Sequence, residues 1–389
     1  MRIIIASQTY DLHTNGQGVF AVHLAEGLVN AGEQVMVLMP SDHFSAYQAT
    51  RNGVLIRAIT ALSLSPLYDD VHVTPFPGPQ VVKWLQEFKP DIVHIQDHYP
   101  LCSAVVDAAL QRDLPILGTN HFLPDNIIMN VALFNQFHDL SQEVLWKTVL
   151  RVYNRLTLTT APTETAVRIL EQNGLHTPAQ AVSCGVDLNR FRPDPEVDAA
   201  QYRRRYHIEP GKVVFLYVGR LDLEKRLDVL LQALHQSGRA DIQVVIAGHG
   251  ERKKDLQALA AQLELGSRVV FTGYVPDEDL PGLYNSVDYF AMPSEAELQS
   301  IATMEAMGTG RPVLAANARA LPELVKHKIN GYLFQCDDPT DTACGMQWLV
   351  EQKPDWQKLS QASLEIVRQH DIHRTIQRYQ EIYKSLVEA

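Results

Sequence analysis

Two carboxylates eight positions apart, Glu297 and Glu305, bracket the stretch Leu298-Gln299-Ser300-Ile301. The run before them, Tyr289-Phe-Ala-Met292, is apolar and strand-like, and helical spacing extends from Leu298 to Met307. On one continuous helix, eight residues would set Glu305 about 80° round from Glu297. With Glu297 in the loop, both reach one crevice, one at the helix mouth and one about two turns down. The backbone N–H groups of Leu298, Gln299, Ser300 and Ile301 would then lie at the positive helix end, which suits a phosphate. Hydroxyl-binding carboxylates beside a phosphate cradle describe a nucleotide-sugar pocket. Two solvated glutamates on a surface helix fit the same spacing.

Other residues can join that chemistry. Gly219-Arg220-Leu-Asp-Leu-Glu-Lys225 follows the apolar run Val213–Val218 and opens a helix. A glycine turn with two cations at the carboxyl end of a parallel strand is where an open α/β sheet binds ligand. Arg220 can hold phosphate oxygens bidentately, and Lys225 adds a compact charge that steadies a departing diphosphate. The alternative is a solvated pair near a helix start, where cations oppose the helix dipole. His121, in Thr119-Asn120-His121, also follows a strand and could donate a hydrogen bond to a sugar or orient an acceptor hydroxyl. A lone histidine is more often structural, although this one stands at a strand's carboxyl end, and His94 and His98 flank the same edge. Asn15-Gly16-Gln-Gly18 and Gly248-His-Gly250 are permissive turns that allow close approach of a ligand, although most such turns bind nothing. No Gly-x-Gly-x-x-Gly fingerprint is present.

Glu-x7-Glu followed by Ala-Met-x-x-Gly-x-Pro-Val resembles the donor-site signature of the family 4 retaining glycosyltransferases, and the likeness extends over essentially the whole chain. The resemblance implies the GT-B fold: α/β, with two Rossmann-like doubly wound parallel-sheet domains facing across a cleft. It casts Arg220 and Lys225 as the pyrophosphate clamp and His121 as the active-site histidine. Gly16 matches the second glycine of the family's Gly-Gly turn, and Asn15 replaces the first. The turn Gly273-Tyr274-Val275-Pro276 would hold the nucleobase through backbone contacts at Tyr274 and Val275. Glu305 would take the ribose hydroxyls and Glu297 those of the sugar. By the same resemblance the donor phosphate deprotonates the acceptor on the face from which it departs, without a metal or other cofactor. One departure stands out: Leu298-Gln299-Ser300 replaces the usual Gly-Phe-Gly, as in a subgroup acting on diacylglycerol and related lipids. The reading that follows is a retaining hexosyltransferase using a UDP-sugar and a lipid acceptor. Alternatives are a soluble or polysaccharide acceptor, a GT-B epimerase, or a nucleotide-sugar-binding subunit.

Those residues need a scaffold, and the chain repeats one theme twice: apolar run, glycine-bearing turn, amphipathic helix. Strands are expected at Arg2–Ser7, Gln34–Met39, Gly53–Arg57, Asp91–Ile95, Pro115–Thr119 and Leu158–Ala161, with helices between them. The pattern pauses at Asn189-Arg-Phe-Arg-Pro-Asp-Pro195, a plausible linker, and restarts at Val213. Strands alternating with helices imply parallel doubly wound sheets. The expected division is an acceptor-binding domain at 1–190, a nucleotide-sugar domain at 191–372, and a terminal helix, 373–389, that the resemblance carries back to the first domain.

Composition limits the alternatives. The 389 residues carry a net charge of −11, which argues against nucleic acid as a partner. Cys102, Cys184, Cys336 and Cys344 show no metal-type spacing, so neither zinc nor a disulfide framework is expected, and a reducing cytosol fits. No stretch has the ~18 apolar residues of a membrane span. The segment 122–137 is unusually apolar, with Phe76 and Trp84 adding to it, and no Lys or Arg lies between 113 and 146. It reads either as an acceptor groove or peripheral membrane contact, or as a helix buried in the core.

Overall fold

Apolar runs become buried parallel strands in both halves of the chain. The computed structural model describes all residues except 13–14, 44, 64–71, 131–133 and 135. These fall into two units, one of Met1–Pro124, Phe137–Gly185 and Ile372–Ala389, the other of Asp125–Gln136 and Val186–Asp371.

The first unit holds β1 (Arg2–Ala6), β2 (Gln34–Pro40), β3 (Tyr47–Arg51), β4 (Val54–Ile59), β5 (Leu62–Ser63), β6 (His72–Val73), β7 (Ile92–Ile95), β8 (Ile116–Thr119), β9 (Leu158–Ala161) and β10 (Ala179–Ala181). Its main sheet runs β10-β9-β8-β7-β1-β2-β4-β3, while β5 and β6 pair separately. Pairing in the main sheet is parallel except at β3, which lies antiparallel against β4, and the separate β5/β6 pair is antiparallel. Central β1 has Ile3, Ile4 and Ile5 fully buried, because helices cover both faces of such a sheet. Strand β3 escapes a periodicity reading for the opposite reason. It is an edge strand whose residues are mostly exposed, so no apolar alternation marks it.

In the second unit β11 (Val213–Val218), β12 (Ile242–Ala247), β13 (Val269–Gly273), β14 (Tyr289–Met292), β15 (Val313–Ala316) and β16 (Gly331–Phe334) form one sheet in the order β13-β12-β11-β14-β15-β16. All its pairings are parallel. Each sheet reverses its winding beside its first strand, at β1/β7 and at β11/β14. Loops leaving the carboxyl ends of those strands therefore diverge and open a crevice.

The division differs from 1–190, 191–372 and 373–389 chiefly at one place. Asp125–Gln136 clusters with the second unit because its polar side chains are anchored there. Arg319 donates to Asp125 at 3.3 Å, and Asn130 donates to Glu224 at 2.8 Å. The last helix, Ile372–Glu388, belongs to the first unit. It buries Thr375, Ile376, Tyr379, Ile382 and Tyr383, one stripe at helical spacing. Gly27 makes room for it, since a Cβ there would lie 2.6 Å from Ile376 Cδ1. Among the described residues no helix is long and apolar enough to cross a membrane.

Candidate active site

In the second unit the turn after β11 and the loop after β14 meet at the switch point. Lys225 Nζ donates to Glu297 Oε1 at 2.7 Å. Burial alone would lower the Lys225 ammonium, but Glu297 and Glu224 outweigh it and hold its pKa above the ordinary value. Arg220 lies on the same turn, its guanidinium 2.9 Å from Asp222 and 3.6 Å from Glu224. It is the more open of the two cations, with 43% of its side chain exposed against 15% for Lys225. Glu224 is wholly buried between them and also accepts from Asn130 Nδ2. Asn130 Oδ1 in turn accepts from Leu223 N at 3.2 Å. Sequence reasoning overlooked both residues: Glu224 was visible beside Lys225, but Asn130 lies ninety-four positions from its partner.

The helix expected from Leu298 begins at Ile301 and runs to Gly308. Ser300 stops it on the N-terminal side by taking φ +85°, outside helical geometry, and capping Thr303 N. Leu298, Gln299 and Ser300 are therefore loop residues, with Leu298 and Gln299 buried. Among the described residues the amides of Ile301 and Ala302 have no acceptor and are the open donors of this helix start. Glu305 stands on the same helix and accepts from Tyr284 OH at 2.9 Å. Burial raises its carboxyl to about 7, against the opposing hydrogen bond from Tyr284.

Gly219 and Gly248 close the turns after β11 and β12 backbone to backbone. A Cβ on Gly248, at φ +143°, would collide with the Gly219 carbonyl oxygen. This glycine is thus required by packing, whatever else it admits. After β13, Tyr274 is half exposed, 6.4 Å from the His249 ring. Val275, next to it, is buried. Glu295, Cys336 and Asp337 bring possible metal-ligating atoms within 4.8 Å of one another, but the Arg226 guanidinium pairs with both carboxylates and takes the place of a cation.

In the first unit His121 leaves the end of β8 with Nε2 3.0 Å from Gln96 Oε1 and its ring 4.9 Å from Phe20. Burial pushes its pKa down to about 3, so the ring is neutral. His94 is not an edge residue but a wholly buried one, bonded to Tyr383 and Thr119. His98 stacks on Tyr99 at 4.7 Å. Gly16 starts the helix Gly16–Asn30, and Asn15 is its cap, accepting from Gly18 N at 2.9 Å. The Gly18 amide is thereby engaged within the protein. The apolar segment after His121 divides: Leu123 and Ile128 are buried, and Phe137 is exposed, while Val131 and Leu133 lie outside the described residues. Trp84 is core rather than surface, whereas Phe76 is 90% exposed.

Comparison with known proteins covers both units. Residues 14–190 match the family described as Glycosyltransferase Family 4. Residues 198–365 match Glycosyl transferases group 1. The GDP-mannose-dependent alpha-mannosyltransferase of Corynebacterium glutamicum is 28% identical over 90% of this chain and 81% of its own. The D-inositol 3-phosphate glycosyltransferase of Nocardia farcinica is 29% identical over 84% of this chain and 75% of its own. Among solved structures, HepE of Anabaena in complex with UDP-glucose superposes with a TM-score of 0.81 at 20% identity, over 99% of this chain and 100% of that one. That likeness shows the fold.

Proposed function

Since the chain belongs to the nucleotide-sugar glycosyltransferases of GT-B fold, we propose that it transfers a hexose from a UDP-sugar to an acceptor hydroxyl with retention of configuration. The observation that carries this reading is the meeting of Arg220, Lys225 and Glu297 where the strand order of the second sheet reverses. In the proposed arrangement Arg220, Lys225 and the amides of Ile301 and Ala302 take the diphosphate charge, so that no metal is called upon. Glu297 and Glu305 accept from hydroxyls of the sugar and the ribose, each carboxylate having lone pairs for two such bonds. Tyr274 and Val275 flank the base. As the sugar C1–O bond to phosphate breaks, the acceptor oxygen bonds C1 from the same face and gives its proton to a phosphate oxygen. His121 bonds the transferring sugar.

A lipid acceptor such as diacylglycerol is part of the proposal. The run Leu298-Gln299-Ser300 supports it. So do exposed apolar side chains at one end of the helix His138–Tyr153: Phe137 at its N-cap, and Leu140 and Val144 on the helix at spacing i, i+4. A GDP-sugar donor is the second reading, favoured by the similarity to a GDP-mannose-dependent enzyme.

The test is a panel of UDP-, GDP- and ADP-sugars, following nucleotide release with and without diacylglycerol-containing liposomes. Lipid-dependent UDP release is the expected result. Lipid-dependent GDP release would move the donor to the second reading. Release that ignores lipid would replace the lipid with a soluble acceptor, and binding of no donor would overturn the proposal.

A further inference from the structure

His121 is the outer end of a buried polar chain within the first unit. Gln96 lies 3.0 Å from His121 Nε2 through one amide atom and 3.1 Å from His94 Nε2 through the other. His94 Nε2 is also 2.7 Å from Thr119 Oγ1, and His94 Nδ1 is 2.7 Å from the hydroxyl of Tyr383 on the C-terminal helix. His94, Gln96, Thr119 and Tyr383 are all fully buried. Burial holds both histidines neutral, each pushed down to about 3, so each ring carries one hydrogen.

Placing the hydrogens decides the polarity of the chain. The buried Tyr383 hydroxyl has His94 Nδ1 as its partner among the described residues, so its hydrogen points there. His94 must then carry its own hydrogen on Nε2 and donate it to Thr119. Thr119 passes its hydrogen to Thr160 at 2.7 Å, and Thr160 can donate to Gly118 O at 3.3 Å. Facing an N–H on His94, the Gln96 amide presents oxygen to it and nitrogen to His121. That orientation needs only a half-turn of the amide, whose two ends are assigned from such networks. The reverse polarity puts two donors, Gln96 and Thr119, on one lone pair of His94 and leaves the Tyr383 hydrogen without an acceptor. With Gln96 donating to Nε2, the His121 hydrogen sits on Nδ1, which has no partner among the described residues and is not walled off by protein.

We propose that Tyr383, acting through His94 and Gln96, fixes His121 as the Nδ1–H tautomer, so that this ring offers a donor and not a lone pair to the substrate. The three are positioning residues, and the C-terminal helix sets the proton position of a histidine 262 positions away in sequence. The proposal rests on the reading that His121 faces the transferring sugar, where a donor meets a hydroxyl oxygen.

Nitrogen NMR of the full-length protein labelled at histidine, with His121 assigned through His121→Asn, reads the tautomer directly. The expected wild-type state is a hydrogen on Nδ1 and a bare Nε2. In Gln96→Glu a carboxylate accepts from both rings, so His121 Nε2 gains a hydrogen. In Tyr383→Phe the anchor is lost and both tautomers are populated. Both variants should lower kcat by roughly tenfold or more with donor KM nearly unchanged. If either variant fails to fold, Gln96→Met, which cannot donate to His121, takes its place with the same expected loss. A wild-type hydrogen on Nε2, or the same tautomer in every variant, overturns the proposal. Full turnover by His121→Asn would instead refute the placement of His121 at the sugar, with the tautomer result standing apart.

Discussion

Lys225 Nζ stands 2.7 Å from Glu297 Oε1, joining the turn after β11 to the loop after β14 where the strand order of the second sheet reverses. Only 15% and 13% of the two side chains are exposed, so neither charge is well solvated without the other. Lys225→Met and Glu297→Gln should each destabilise the fold by about 1–3 kcal/mol. The double variant should fall short of the sum by about 0.5–3 kcal/mol. Urea denaturation of the four proteins measures this, and strictly additive losses would mean that the pair is not coupled.

The same site predicts a division of labour in activity. Glu297→Ala should lower kcat by roughly 10²–10³-fold while nucleotide binding persists, because its partner is the sugar and not the phosphate. Arg220→Ala should weaken both. Calorimetric nucleotide titration beside turnover separates the two outcomes, and unchanged turnover in either variant removes that residue from the mechanism.

Glu305 links stability to pH. Burial raises its carboxyl to about 7 in the folded protein, from an ordinary value of 4.5. Below pH 4.5 folded and unfolded chains both hold the proton, and the group costs nothing. Between 4.5 and 7 the unfolded chain releases it first, so stability falls, and above 7 the loss is complete. The loss is at most about 3 kcal/mol. Glu305→Gln should flatten this window and be the more stable protein at pH 8, with denaturation midpoints at pH 4 and pH 8 as the check.

Ser300 holds φ +85° and compensates by capping Thr303 N. A glycine loses the cap but accepts the backbone geometry, so Ser300→Gly should change stability by only a few tenths of a kcal/mol. Ser300→Ala loses the cap and keeps the strain, at about 1–2 kcal/mol. The order of thermal midpoints, wild type close to Gly and both above Ala, tests the argument.

Gly248→Ala should be worse than either, since its Cβ meets the Gly219 carbonyl oxygen. Backbone must shift at the turn that carries Arg220, and about 1–3 kcal/mol of stability should go with it. Nucleotide affinity should fall in the same variant, and retained affinity would show that the two turns are not coupled.

Local pattern determined a good deal by itself. The runs Val213–Val218 and Tyr289–Met292 read as buried strands because parallel strands covered on both faces must be apolar throughout. Arg220, Lys225 and Glu297 could be picked out because their residue types follow such strands directly. Edge strand β3 and the start of the helix at Ile301 were not legible. The first has no buried face, and the second depends on a positive φ at a residue that is not glycine. What only the tertiary structure decided is which distant residues meet. Strand order β11-β14 brings Lys225 to Glu297, Asn130 folds onto Glu224, Tyr284 reaches Glu305, and Tyr383 closes on His94. Periodicity records which face of an element is buried and is silent on its neighbours, whereas hydrogen bonds and charge pairs between distant residues exist only once the elements are ordered in space.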